Sequence, residues 1–154
     1  MKRFKFKLDT VLQVKRRIES ERKQQLQQAE LARNAALRQL ETRRTELEQA
    51  VREYEASSRR KFDRNLAYSY NQYTIWLGQK IKEAHSHLNF CEGEVGKARQ
   101  RLLEAAKERK ILDKLKEKAH RQYKAAELRE EIVFLDELGT ERFVQKSRDE
   151  RGGL

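Results

Sequence analysis

The sequence predicts an all-α protein, a long antiparallel two-helix coiled-coil hairpin, and three observations predict it. The 154 residues include no proline, six glycines and 40% charged residues against 37% hydrophobic. That balance is rich in helix formers and too poor in apolar residues for a compact two-layer core. Apolar residues also recur at the alternating four-and-three spacing of a coiled-coil seam, in two separate runs. Between the runs lies a stretch of different content, Ser57 to Leu77, where Phe62, Leu66, Tyr68, Tyr70, Tyr73, Ile75, Trp76 and Leu77 gather much of the aromatic material. The kept phase argues against disorder, which has no reason to hold one.

Residues 1 to 7 alternate basic and aromatic side chains, which predicts an extended start. Asp9 or Thr10 is placed to cap a first helix over about 8–62. One series along it is Leu12, Glu19, Leu26, Arg33, Leu40, Leu47 and Tyr54; the other is Leu8, Lys15, Arg22, Ala29, Ala36, Arg43, Ala50 and Ser57. Charges dilute both, so the helix is a weak zipper on its own.

A turn is expected over about 62–68 and a second helix over about 69–138. Its series are cleaner: Leu77, Ala84, Cys91, Ala98, Ala105, Leu112, Ala119, Ala126 and Val133, beside Ile81, Leu88, Val95, Leu102 and Arg109. Folding about a centre between Asn65 and Leu66 sets large residues against small ones: Leu12 with Ala119, Leu26 with Ala105, Leu47 with Ala84, and Ala36 with Val95. Each layer then keeps a similar volume. A register one heptad away, with the turn nearer Phe62, remains open. Gly93 and Gly96 cost about 1 kcal/mol each within the helix, which fits either close backbone approach or a weak point. Glu19 with Lys23, Glu48 with Arg52 and Glu117 with Arg121 are spaced as supporting i,i+4 pairs. Gly139 reads as a stop, with one more turn in GTERF and a disordered tail over about 144–154. At ~1.5 Å per residue the arms predict a rod on the order of 90 Å long.

The formal net charge is +11, and the first 77 residues are the more basic half, with 18 Lys and Arg against 10 Asp and Glu. This points toward an anionic partner. A single cysteine excludes an internal disulfide. MKRFKFKL is followed by no apolar run and no stretch approaches a membrane span, so the protein is expected to be soluble and unexported, without signal peptide or anchor. His85 and His87 point to opposite sides of a helix, and His87 with Cys91 supplies two ligands where structural zinc wants four, so no metal is expected. No phosphate loop, cofactor motif or concave pocket is indicated, which argues against an enzyme and against a small-molecule substrate. Basic residues interleaved with acids, and the absence of zinc-finger or RNA-binding signatures, argue against nucleic acid. Tyr73 and Trp76 cannot both face inward with Leu77, so an exposed aromatic is expected there as a contact anchor. Tyr54, Leu77 and Ile81 are expected to close the hairpin.

Three segments, FKFKLDTVLQVKRRIES, SYNQYTIWLGQKI and KLKEKAHRQYKAAELREEIVFLDELGTERF, together resemble the FliJ family of bacterial flagellar export proteins. Phe4 and Phe6 with the Leu8, Val11, Leu12 run match the family's opening, and Lys114 to Lys118 followed by Asp136 and Glu137 match its closing pattern. The resemblance implies a non-enzymatic coiled coil similar to the central stalk of rotary ATPases. It implies as partners the hexameric flagellar export ATPase, the membrane-embedded export gate protein and export chaperones, at the cytoplasmic face of the membrane. The implied ring contact is the end bearing both termini, here Phe4, Phe6, Leu8, Leu12, Arg16 and Arg17. The implied gate contact lies early in the second helix at Tyr73, Trp76, Leu77, Lys80 and Ala84, where Lys80 departs from the small apolar residue of the family. Rival readings are the injectisome counterpart of the stalk and a basic coiled-coil scaffold or nucleic-acid binder, whose affinity would fall steeply with salt.

Overall fold

The computed structural model describes residues 3–152. It contains two helices, α1 (Asp9–Arg60, 52 residues) and α2 (Arg64–Arg151, 88 residues), packed against each other as a hairpin. The chain divides into two compact units, Met1–Arg16 with Lys107–Leu154, and Arg17–Ala106. They are described in turn as the terminal unit and the turn unit. In each, a stretch of α1 lies antiparallel on a stretch of α2.

The turn unit is held by an apolar seam. Ala36 and Leu40 of α1 form one buried cluster with Ala84, Leu88 and Cys91 of α2, and Ile81 packs against it. Leu77, Val95, Ala98 and Ala105 extend the buried line along α2. These residues belong to the expected heptad series, and Glu19, on the same α1 series, is also buried, at 8% exposure. Burying a leucine side chain contributes about 2 kcal/mol, so a few such layers carry much of the unit's stability.

The register is the one with the turn nearer Phe62. Ala84 clusters with Leu40 instead of Leu47, and Leu88 with Ala36 in place of Val95. Tyr54 stacks on Tyr70, with centroids 4.1 Å apart and rings 7° from parallel, whereas a centre between Asn65 and Leu66 would have set it against Leu77. The cause is local. The Asp63 carboxylate accepts the Asn65 backbone N–H at 2.9 Å, and the Asp63 carbonyl accepts the Ala67 N–H at 3.0 Å. Asp63 is therefore the N-cap, α2 starts five residues earlier than the expected 69, and the loop shrinks to residues 61–63.

Gly93 and Gly96 are exposed on α2, and a β-carbon added at either would meet nothing within 4 Å. They serve no close approach; they are points of low helix propensity.

In the terminal unit, residues 3–6 have no regular structure and Leu12 is fully buried. The Leu8 carbonyl accepts the Leu12 N–H at 2.9 Å, so Asp9 lies inside the first turn and its carboxylate is left for other partners. The α2 portion runs through Gly139 to Arg151, past the expected stop. No glycine among the described residues has positive φ, so the left-handed turn that ends many helices does not form. Thr140 and Ser147 instead donate to the carbonyls of Asp136 and Phe143, one turn back.

Candidate docking surfaces

Polar staples join the two helices in the terminal unit. Lys116 donates to Asp9 at 2.6 Å, Lys15 to Glu108 at 2.7 Å, and Arg16 to Asp113 at 3.0 Å. Asp113 also takes Arg109. The Lys116 hydrogen bond holds the Asp9 carboxyl below the usual carboxylate range. Partial desolvation pushes the Asp113 carboxyl up, but the hydrogen bonds from Arg109 and Arg16 outweigh it and leave it below that range too. Phe4 completes the join, edge-on to His120 at 5.2 Å and tilted 5.5 Å from Tyr123.

Beside these staples lies an open groove of about 560 Å³, floored by Phe6, Leu8, Leu115 and Ala119 and rimmed by Lys5, Lys7, Lys118 and Gln122. Further along the same portion of α2, Leu128, Ile132, Leu135 and Phe143 are each about half exposed or more. At 100° per residue they share one helix face. The groove is thus apolar and bordered by lysines, and the Leu128 face is apolar and open to solvent.

Of the residues implied as ring contacts, Phe4 and Phe6 are half-buried, and Leu8, Arg16 and Arg17 are exposed. Leu12 is packed inside, where it supports this surface and presents none of its own. Spacing along the sequence placed Ala119 in the seam series but did not reveal Leu115 and Lys118, because they join the groove only through the pairing of two distant segments. The Leu128, Ile132, Leu135 face was not read from the sequence, where Ala126 and Val133 were placed on the seam and the helix was expected to stop at Gly139, with Phe143 in a separate turn.

In the turn unit, Tyr73 and Trp76 are 43% and 44% exposed, stacked with centroids 6.0 Å apart. Arg43 lies 5.5 Å and Lys80 5.9 Å from the Trp76 ring, close enough for cation–π attraction. Leu77 and Ala84 are buried in the seam. The accessible part of the implied gate patch is therefore Tyr73, Trp76 and Lys80, and the sequence departure at Lys80 becomes part of an aromatic–cation pair.

Cys91 is buried, with Sγ 3.7 Å from His87 Nε2. Among the described residues, no three His, Cys, Asp or Glu side chains come together as a metal site, and no helix is long and apolar enough to cross a membrane.

The fold defines the class, a helical-hairpin protein, whose open faces are apolar and cationic. The family profile described as "Flagellar FliJ protein" matches residues 4–148. The chain belongs to the FliJ family, components of the flagellar export apparatus. Neither a curated protein nor a solved structure matches it.

Proposed function

We propose that this chain is the non-enzymatic stalk of the flagellar export ATPase. The terminal unit enters the ATPase ring and promotes its assembly and hydrolysis, Tyr73, Trp76 and Lys80 meet the export gate protein, and the chain escorts export chaperones at the cytoplasmic face of the membrane. The observation that carries the reading is the terminal unit's surface. A groove of Phe6, Leu8, Leu115 and Ala119 among lysines and a separate open face of Leu128, Ile132, Leu135 and Phe143 expose large apolar side chains of the kind that mark contact surfaces. Ring subunits that hold it differently in their different nucleotide states would couple hydrolysis to the stalk.

Steady-state ATP hydrolysis by the cognate export ATPase tests it. Wild-type protein should stimulate hydrolysis, and a variant lacking residues 1–17 should not. That deletion also removes buried Leu12, so Phe6→Glu with Leu8→Glu is the sharper comparison, with helicity checked by circular dichroism. Stimulation unchanged by the double substitution, or absent with wild-type protein, overturns the reading. Tyr73→Ala with Trp76→Ala should leave stimulation intact and weaken binding to the gate protein's soluble portion.

A further inference from the structure

Four cations fall within six residues at the hairpin turn. Arg59 and Arg60 end α1, Lys61 is in the loop, Arg64 begins α2, and all four are exposed. The one acid among them, Asp63, has its carboxylate engaged by the Asn65 backbone N–H, where it caps α2. Between the cations stands Phe62, 71% exposed, and Tyr68, one turn into α2, is 68% exposed.

Neither seam uses these side chains. A phenyl ring held in water among cations gains nothing from folding, but it fits a boundary that is anionic at its surface and apolar just beneath. A nucleic-acid strand would favour a basic track with several rings along it; here a single ring crowns a three-residue loop. The shallow groove nearby, lined by Tyr54, Ser57, Leu66 and Tyr70, runs between the helices and does not include the loop.

We propose that this turn docks on a bilayer surface rich in anionic phospholipid, with Arg59, Arg60, Lys61 and Arg64 against the headgroup phosphates and Phe62 among the upper acyl segments. The contact is interfacial, since no helix among the described residues can span the bilayer. Each cation near such a surface strengthens partitioning about fivefold, and the attraction fades within a Debye length as salt rises. The proposal is independent of the stalk reading, because it needs neither the ATPase nor the gate.

Co-sedimentation of the full chain with phosphatidylglycerol-containing vesicles and with pure phosphatidylcholine vesicles tests it. Binding should require the anionic lipid. Arg60→Glu with Lys61→Glu should weaken it more than twentyfold, whereas Arg38→Glu with Arg44→Glu, an equal charge change on the exposed face of α1, should weaken it far less. Phe62→Trp in a Trp76→Phe background should show a blue-shifted emission on adding anionic vesicles. Equal losses from the two charge swaps, equal binding to neutral vesicles, or an unshifted Trp emission would overturn the proposal. So would an oligonucleotide that binds at the turn when anionic vesicles do not.

Discussion

The two units make one motif by different means. The turn unit joins its helices through an apolar line, Ala36 and Leu40 against Ala84, Leu88 and Cys91. The terminal unit buries Leu12 and adds to it the cross-helix pairs Asp9–Lys116, Lys15–Glu108 and Arg16–Asp113 and the Phe4 ring. Apolar burial is indifferent to salt and moderate acid, whereas half-exposed ion pairs are sensitive to both. The character of the pairing is therefore local: α2 is one unbroken helix, yet the side chains that hold it to α1 differ between the two units.

The largest expected effect breaks the apolar side of that comparison. Leu40→Ala should lower unfolding stability by about 2–4 kcal/mol in urea titrations, through lost burial and an unfilled space. Leu128→Ala, on the open face at 58% exposure, should cost almost nothing; equal costs would mean that the open face is packed in solution.

Acid sharpens the polar side. The Asp9 and Asp113 carboxyls sit below the ordinary value of 3.8, so as pH falls the unfolded chain takes up their protons first. The stability they confer is whole above about pH 4 and drains away as pH drops through their lower folded values. Hydrogen exchange should show amides of residues 107–123 losing protection in that window before those of residues 84–98, and Asp9→Asn with Asp113→Asn should abolish that acid-dependent loss.

Smaller, and of opposite sign, is the effect at the glycines. Gly96→Ala should raise the melting temperature, with a gain of about 0.5–1 kcal/mol, because helix propensity improves and the new methyl meets nothing. The smallest effect is expected at Lys15→Met, which should cost less than about 1 kcal/mol, a cost that vanishes in 1 M salt; a persistent cost would mean that the Lys15 stem, and not its charge, makes the contact.

The heptad series show how much of this was legible. The buried residues all fall on the predicted series, from Leu12 and Leu40 in α1 to Leu77 through Ala105 in α2, and the three i,i+4 pairs are formed, at 3.5–3.7 Å. Register was not settled, because a shift of one heptad exchanges members of the same series. Leu40 meets a small residue either way, Cys91 in one register and Ala84 in the other. The Asp63 cap, which fixes where α2 begins, rests on a hydrogen bond with no periodicity to read. The continuation beyond Gly139 was missed for a related reason: a glycine weakens a helix by about 1 kcal/mol without ending it. The seams themselves end where expected partners run out, since Ala126 and Val133 keep the spacing but stay exposed. The groove at Phe6 was only half legible, its other wall lying more than a hundred residues away.

The three-residue loop also sets an order of folding events. Tyr54 and Tyr70 are brought together by closing a short segment, whereas Lys116 and Asp9 lie 107 residues apart and close a far costlier loop if they meet first. Once the turn has formed, the next layers of the turn unit close only a short effective loop, so pairing within that unit proceeds outward from the capped turn. A chain emerging from the ribosome with residues 1–100 already free can close its apolar seam before the partners of Asp9, Lys15 and Arg16 have been synthesised.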